Sequence, residues 1–147
     1  MSPHTAWLQN LGLETLELRY KRSASTCKQL AGFLQTLPAI RQVNYTGLPD
    51  NPFYPISLRQ FGEYPGAMLT FCLDDRAACY AFINRLQLIR RATNLFDNKS
   101  LIIHPLSTIY ATLDDECKKM VDVPDNMLRL SVGLEDLEDL KKDLDNF

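Results

Sequence analysis

The constraint that most narrows the fold lies near the end of the chain. Arg129-Leu130-Ser131-Val132 alternates, with Leu130 and Val132 on one face of an extended segment and Arg129 and Ser131 on the other. Gly133 follows as a turn. A helix comes next, with Leu137, Leu140, Leu144 and Phe147 on one stripe, acids in its first turn and Lys141 and Lys142 later. The spacing makes Glu138 and Lys142 an i,i+4 pair. A strand with one apolar face, followed at once by a helix with one apolar stripe, calls for a sheet layer against a helix layer. The same strand carries a guanidinium, which is costly to desolvate unless an anion meets it, and whose planar fork suits a carboxylate. Asp136 or Asp139 is the local alternative, a surface ion pair with no functional content.

The remaining periodicities supply the other elements. Ser2-Pro3 is an N-cap with proline at the first helical position. Helical spacing then runs through Trp7, Leu8 and Leu11, is interrupted or bent at Gly12, and resumes to Leu34 and Leu37 before Pro38. So long a helix in a small domain leaves Trp7, Leu8 and Leu11 without a core, which predicts self-association or a covering neighbour. Ile40 to Tyr45 reads as a short strand, Leu48 to Pro55 as loop and Ile56 to Phe61 as a weak helical turn. Ala67 to Leu73 is the clearest strand, apolar on both faces. Asp74 is predicted to cap a helix from Asp75 to about Leu88, with Ala78, Phe82, Ile83 and Leu86 inward. Ser100 to Ile103 and Met127 to Val132 are strands, and Thr112 to Val121 contains a short helix led by acids. The predicted class is α+β: one domain over 1–147, a small mainly antiparallel sheet with helices on one face and a long N-terminal helix. A ferredoxin-like strand order fits the same sequence of elements.

Several function classes fall away on composition. A net charge of −2 gives no electrostatic case for nucleic acid or an anionic membrane. No apolar run approaches the roughly 20 residues of a spanning helix, and no signal-peptide pattern opens the chain, so a cytoplasmic setting is expected. The four cysteines are scattered without a CxxC pair and read as buried, reduced thiols, not metal ligands. His104, before Pro105, reads as a hydrogen-bonded structural histidine.

Four segments together carry a resemblance. Gly12 to Arg19, Asn44-Tyr45-Thr46-Gly47-Leu48-Pro49, Gly66 to Phe71, and Asn94 to Pro105 join the Arg129 segment in resembling the C-terminal domain of the pyridoxal-phosphate (PLP) enzymes of cysteine and methionine metabolism. The Asn94-Leu95-Phe96-Asp97-Asn98-Lys99-Ser100 stretch is most similar to the O-acetylhomoserine sulfhydrylase branch. The resemblance implies a fold-type-I C-terminal domain in which Arg129 holds the substrate α-carboxylate, with Asn94 and Thr108 as further substrate-binding candidates. It implies pyridoxal phosphate in the whole enzyme, and a transsulfuration reaction of methionine and cysteine biosynthesis. The family's Schiff-base lysine and phosphate-binding groups belong to an N-terminal domain with no counterpart here. None of the seven lysines stands in the expected context, so no catalytic, cofactor-binding or metal residue is assigned and the chain alone is expected to be inert. Phe96 stands where the family has glycine, and Ser107-Thr108-Ile109-Tyr110 replaces a threonine-threonine-histidine stretch. Expected partners are a second copy or a chain bearing the cofactor domain, with an amino-acid substrate bound only alongside that domain. The alternative function is a non-catalytic interaction or assembly module derived from the family.

Overall fold

The computed structural model describes residues 1–121 and 123–145. Its sheet has five strands: β1 (Gln42–Asn44), β2 (Met68–Cys72), β3 (Arg90–Arg91), β4 (Leu101–Ile103) and β5 (Met127–Ser131), in the order β1-β2-β5-β4-β3. All pairings are antiparallel except β3 with β4. This is the α+β arrangement read from the sequence, but not a ferredoxin-like one: the fifth strand enters between the second and the fourth.

Six α-helices accompany the sheet among the described residues: α1 (Pro3–Glu14), α2 (Leu16–Leu34), α3 (Tyr54–Phe61), α4 (Arg76–Arg85), α5 (Asp115–Met120) and α6 (Leu137–Asp145). Leu69, Phe71, Ile102, Leu128 and Leu130 turn inward from the sheet. They form one core with Cys27, Leu30 and Leu34 of α2, Phe82 and Ile83 of α4, and Leu140 and Leu144 of α6. Burial of these side chains at roughly 1.5–3 kcal/mol each is the main term favouring the fold. Phe147, placed on the α6 stripe by its spacing, lies outside the described residues.

The long N-terminal helix is in fact two, and the break is not at Gly12. Gly12 is helical. The hitch falls at Thr15, where Arg19 folds back to donate to the Gly12 carbonyl (2.6 Å) and the Thr15 hydroxyl (3.3 Å). Ser2 caps α1 as expected, accepting the Thr5 amide at 3.1 Å. No α1 residue is buried, and Trp7, Leu8, Leu11 and Leu13 are exposed.

Four further expectations are corrected. Of the four cysteines read as buried, Cys27 and Cys79 are, but Cys72 is half-buried and Cys117 exposed. The α4 cap is Asp75, whose carboxylate accepts the Ala78 amide at 2.7 Å, and the helix ends at Arg85. Asp74 instead pairs with Arg41 across the ends of β1 and β2, which holds its carboxyl below the usual range. On β2, Leu69 and Phe71 are buried, whereas Met68 is exposed and Thr70 and Cys72 half-buried, so this interior strand has only one face in the core. On α6, Glu138 pairs with Lys141 (2.8 Å) and Asp139 with Lys142 (3.4 Å). These i,i+3 contacts replace the Glu138–Lys142 pair.

Candidate functional site

The sheet face away from the core presents Asn44, Thr70, Arg129 and Ile103 as one row of neighbours, since Asn44 lies opposite Thr70, Thr70 opposite Arg129, and Arg129 opposite Ile103. The next row is Met68, Ser131 and Leu101. Arg129 therefore stands in the middle of this second face, as alternation requires. It lines a groove of about 180 Å³ with Asn44, Tyr45, Thr46, Met68, Leu69 and Thr70.

The guanidinium is half-buried, and its Nη2 donates to the Thr93 carbonyl at 3.1 Å. Burial pulls it below its ordinary pKa, with Tyr110 acting in the opposite direction, yet an arginine remains a cation at neutral pH. No carboxylate among the described residues lies within ion-pair distance of it. The local acids are engaged elsewhere: Asp136 accepts the Glu138 amide at 2.9 Å, and Asp139 meets Lys142. Arg129 is thus not the surface ion pair that its sequence neighbours offered.

The segment after β3 crosses this face. Thr93 is tied to Arg129, and the Phe96 amide donates to the Ser131 hydroxyl at 3.1 Å. Between these two anchors sits Asn94, exposed, its side-chain amide donating to Asp97 at 3.1 Å. The structure brings Asn94 to the Arg129 neighbourhood through Thr93, on the same side of the sheet, with no direct bond between the two side chains. Thr108 is placed differently. Its hydroxyl donates to the His104 carbonyl at 2.8 Å, and with Thr93 it lines a separate cavity of about 390 Å³ between α4 and the β4 edge. His104 is buried and satisfied, its Nε2 bonded to the Asp125 carbonyl (2.7 Å) and its Nδ1 to the Ser107 hydroxyl (2.9 Å). Asn44, Thr70 and the Thr93 carbonyl were not legible as neighbours of Arg129, because strand register has no local sequence signal when strands lie far apart in the chain.

The chain as a whole matches known proteins closely. Residues 1–147 match the family model described as Cys/Met metabolism PLP-dependent enzyme. The chain belongs to that family. The O-acetyl-L-homoserine sulfhydrylase 1 of Thermus thermophilus is 42% identical over 145 residues, covering 98% of this chain and 34% of that protein. The O-succinylhomoserine sulfhydrylase of Pseudomonas aeruginosa is 37% identical, with 98% and 36% covered. The solved structure of the Wolinella succinogenes O-acetylhomoserine sulfhydrylase superposes with a TM-score of 0.87 at 47% identity, covering 98% of this chain and 38% of that one. The chain spans about a third of the length of such relatives.

The family is PLP-dependent, and the lysines of this chain do not fit an aldimine with that cofactor. Such a lysine needs a closed pocket that lowers its pKa. None of the seven is buried: Lys28, Lys99, Lys119 and Lys142 are exposed, Lys118 and Lys141 half-buried, and Lys21 pairs with Glu17, which raises its pKa. No step through the cofactor is assigned to these residues. Among the described residues no group of three His, Cys, Asp or Glu side chains is placed to hold a metal, and no helix is long and apolar enough to cross a membrane.

Proposed function

We propose that this chain is the substrate-carboxylate side of an O-acetylhomoserine sulfhydrylase-type enzyme, catalytically inert by itself. The observation that carries the reading is Arg129: a half-buried guanidinium, central on the sheet face that α2, α4 and α6 leave open, without a partner carboxylate among the described residues. Its fork matches an α-carboxylate, and Asn94, next in the chain to the Thr93 that Arg129 holds, is the candidate second donor. Thr108, committed to the His104 carbonyl, is the weakest of the candidates. In a two-part enzyme this chain would orient the amino acid, while the cofactor, held elsewhere, would supply the electron sink for the chemistry.

The test is reconstitution. The remaining two-thirds of the Thermus thermophilus relative, joined to this chain, would give sulfhydrylase activity from O-acetylhomoserine and sulfide. Arg129→Lys keeps the charge but loses the bidentate fork, so KM is expected to rise by an amount equivalent to about 1.5–3 kcal/mol. An unchanged KM would show that the carboxylate binds elsewhere.

The second reading, an assembly module, draws on α1. Trp7 is 60% and Leu13 62% exposed, Leu8 and Leu11 are exposed on the same helix, and Leu18 is exposed in the first turn of α2. Exposed apolar surface of this extent is expected to drive self-association. Sedimentation should show dimers or larger species at high concentration, reduced by Trp7→Asp with Leu11→Asp. A strictly monomeric chain would contradict this.

A further inference from the structure

Phe96 has φ +54°, the one positive φ outside glycine among the described residues. An aromatic side chain adopts that region at a cost, and it stays there only when its surroundings hold it. Two contacts do so. The Phe96 amide donates to Ser131 Oγ at 3.1 Å, and its ring packs at 5.9 Å from the ring of Tyr20 on α2. Ser131 is 3% exposed and shares the open sheet face with Arg129. Such a buried hydroxyl, aimed at a strained turn, needs a reason beyond packing, since alanine would fill nearly the same space.

The position of that turn supplies the reason. Asn94 lies between the two points at which the segment is tied down, Thr93 on Arg129 and Phe96 on Ser131. The Asn94 side chain itself reaches Asp97, within the same turn, so the turn is fixed to the sheet as a unit through Thr93 and Phe96. We propose that Ser131 is a positioning residue for the carboxylate site: by holding the Phe96 amide it keeps the Asn94 amide where it joins the Arg129 fork on one anion. This rests on the carboxylate reading above, and goes beyond it by assigning a role to a side chain that touches no substrate.

The prediction is sharpest as a rescue. Sodium acetate is titrated at constant ionic strength while the side-chain resonances of Asn94 and Arg129 are followed, and a urea melt of each variant confirms folding. Ser131→Ala should weaken acetate binding about fivefold, the worth of one hydrogen bond, whereas Ser131→Thr, which keeps the hydroxyl, should bind normally. Phe96→Gly added to Ser131→Ala should restore binding to within about twofold, because glycine takes this φ without a tether. A purely structural role for Ser131 gives no such rescue. If the unaltered chain binds acetate and Ser131→Ala binds equally well, or if the glycine fails to restore binding, the positioning role is overturned while the carboxylate site stands. If acetate moves neither resonance in the unaltered chain, the carboxylate reading fails and this inference with it.

Discussion

Asp143→Ala is expected to destabilise the fold by about 3–5 kcal/mol. Asp143 sits on the buried side of α6, 6% exposed, and its carboxylate faces the chain as it leaves α4. One oxygen accepts the Gln87 amide at 2.8 Å, and the other accepts Leu88 at 3.1 Å and Ile89 at 2.9 Å. Three backbone donors of the segment between α4 and β3 thus find one carboxylate on α6, and Ile89 is itself buried. Removing the carboxylate strands these donors where water cannot easily replace it. Asp143→Asn keeps the shape and one accepting oxygen, so it should cost about half as much. Urea melts of the two variants measure both numbers. Equal, small losses would mean that water enters and satisfies the amides.

Gly133→Ala is expected to cost about 3 kcal/mol by overpacking. The position was read as a turn glycine, but its φ is not positive and its reason is proximity. A Cβ there would stand 2.5 Å from the Lys99 carbonyl carbon and 2.6 Å from the Asn98 oxygen, both of them backbone. Neither neighbour moves freely. The Gly133 amide donates to Ser100 Oγ (2.9 Å), the same hydroxyl donates to Glu135 (2.7 Å), and the Gly133 carbonyl accepts from Ser23 of α2 (3.0 Å). Pushing the end of β5 away would strain all three bonds. A melting midpoint within a degree or two of the unaltered chain would show that the segment before β4 yields more easily than this network implies.

These two residues also mark where sequence reading stops. Elements with a strong period were legible: the α2 stripe of Cys27, Leu30, Ala31 and Leu34 is wholly buried, and so are Leu128 and Leu130 of β5. Asp143 was not legible, because an acid within a charged helix has the same local pattern whether it faces solvent or three amides of a distant connecting segment. Gly133 was read for the wrong reason, since close approach comes from a segment more than thirty residues away. The Thr15 break depends on where the Arg19 side chain folds back, which spacing does not encode. At the site, alternation placed Arg129 and Ser131 on one face correctly. What it could not supply was the crossing segment: β3 is two exposed arginines long and has no alternation to read. The ties from Thr93 to Arg129 and from Phe96 to Ser131 exist only once β4 has paired with β5.

One set of urea midpoints decides whether Arg129 is held for an anion or for the fold. The unaltered chain and Arg129→Ala are unfolded with and without acetate, chloride keeping the ionic strength constant. Arg129 contributes one hydrogen bond to the carbonyl of exposed Thr93 and no ion pair among the described residues, so the alanine should cost under about 1 kcal/mol without acetate. Acetate should stabilise the unaltered chain through linkage to the folded state, and that gain should vanish in Arg129→Ala. A loss of several kcal/mol in Arg129→Ala without acetate, or an acetate gain that survives the substitution, would contradict the account.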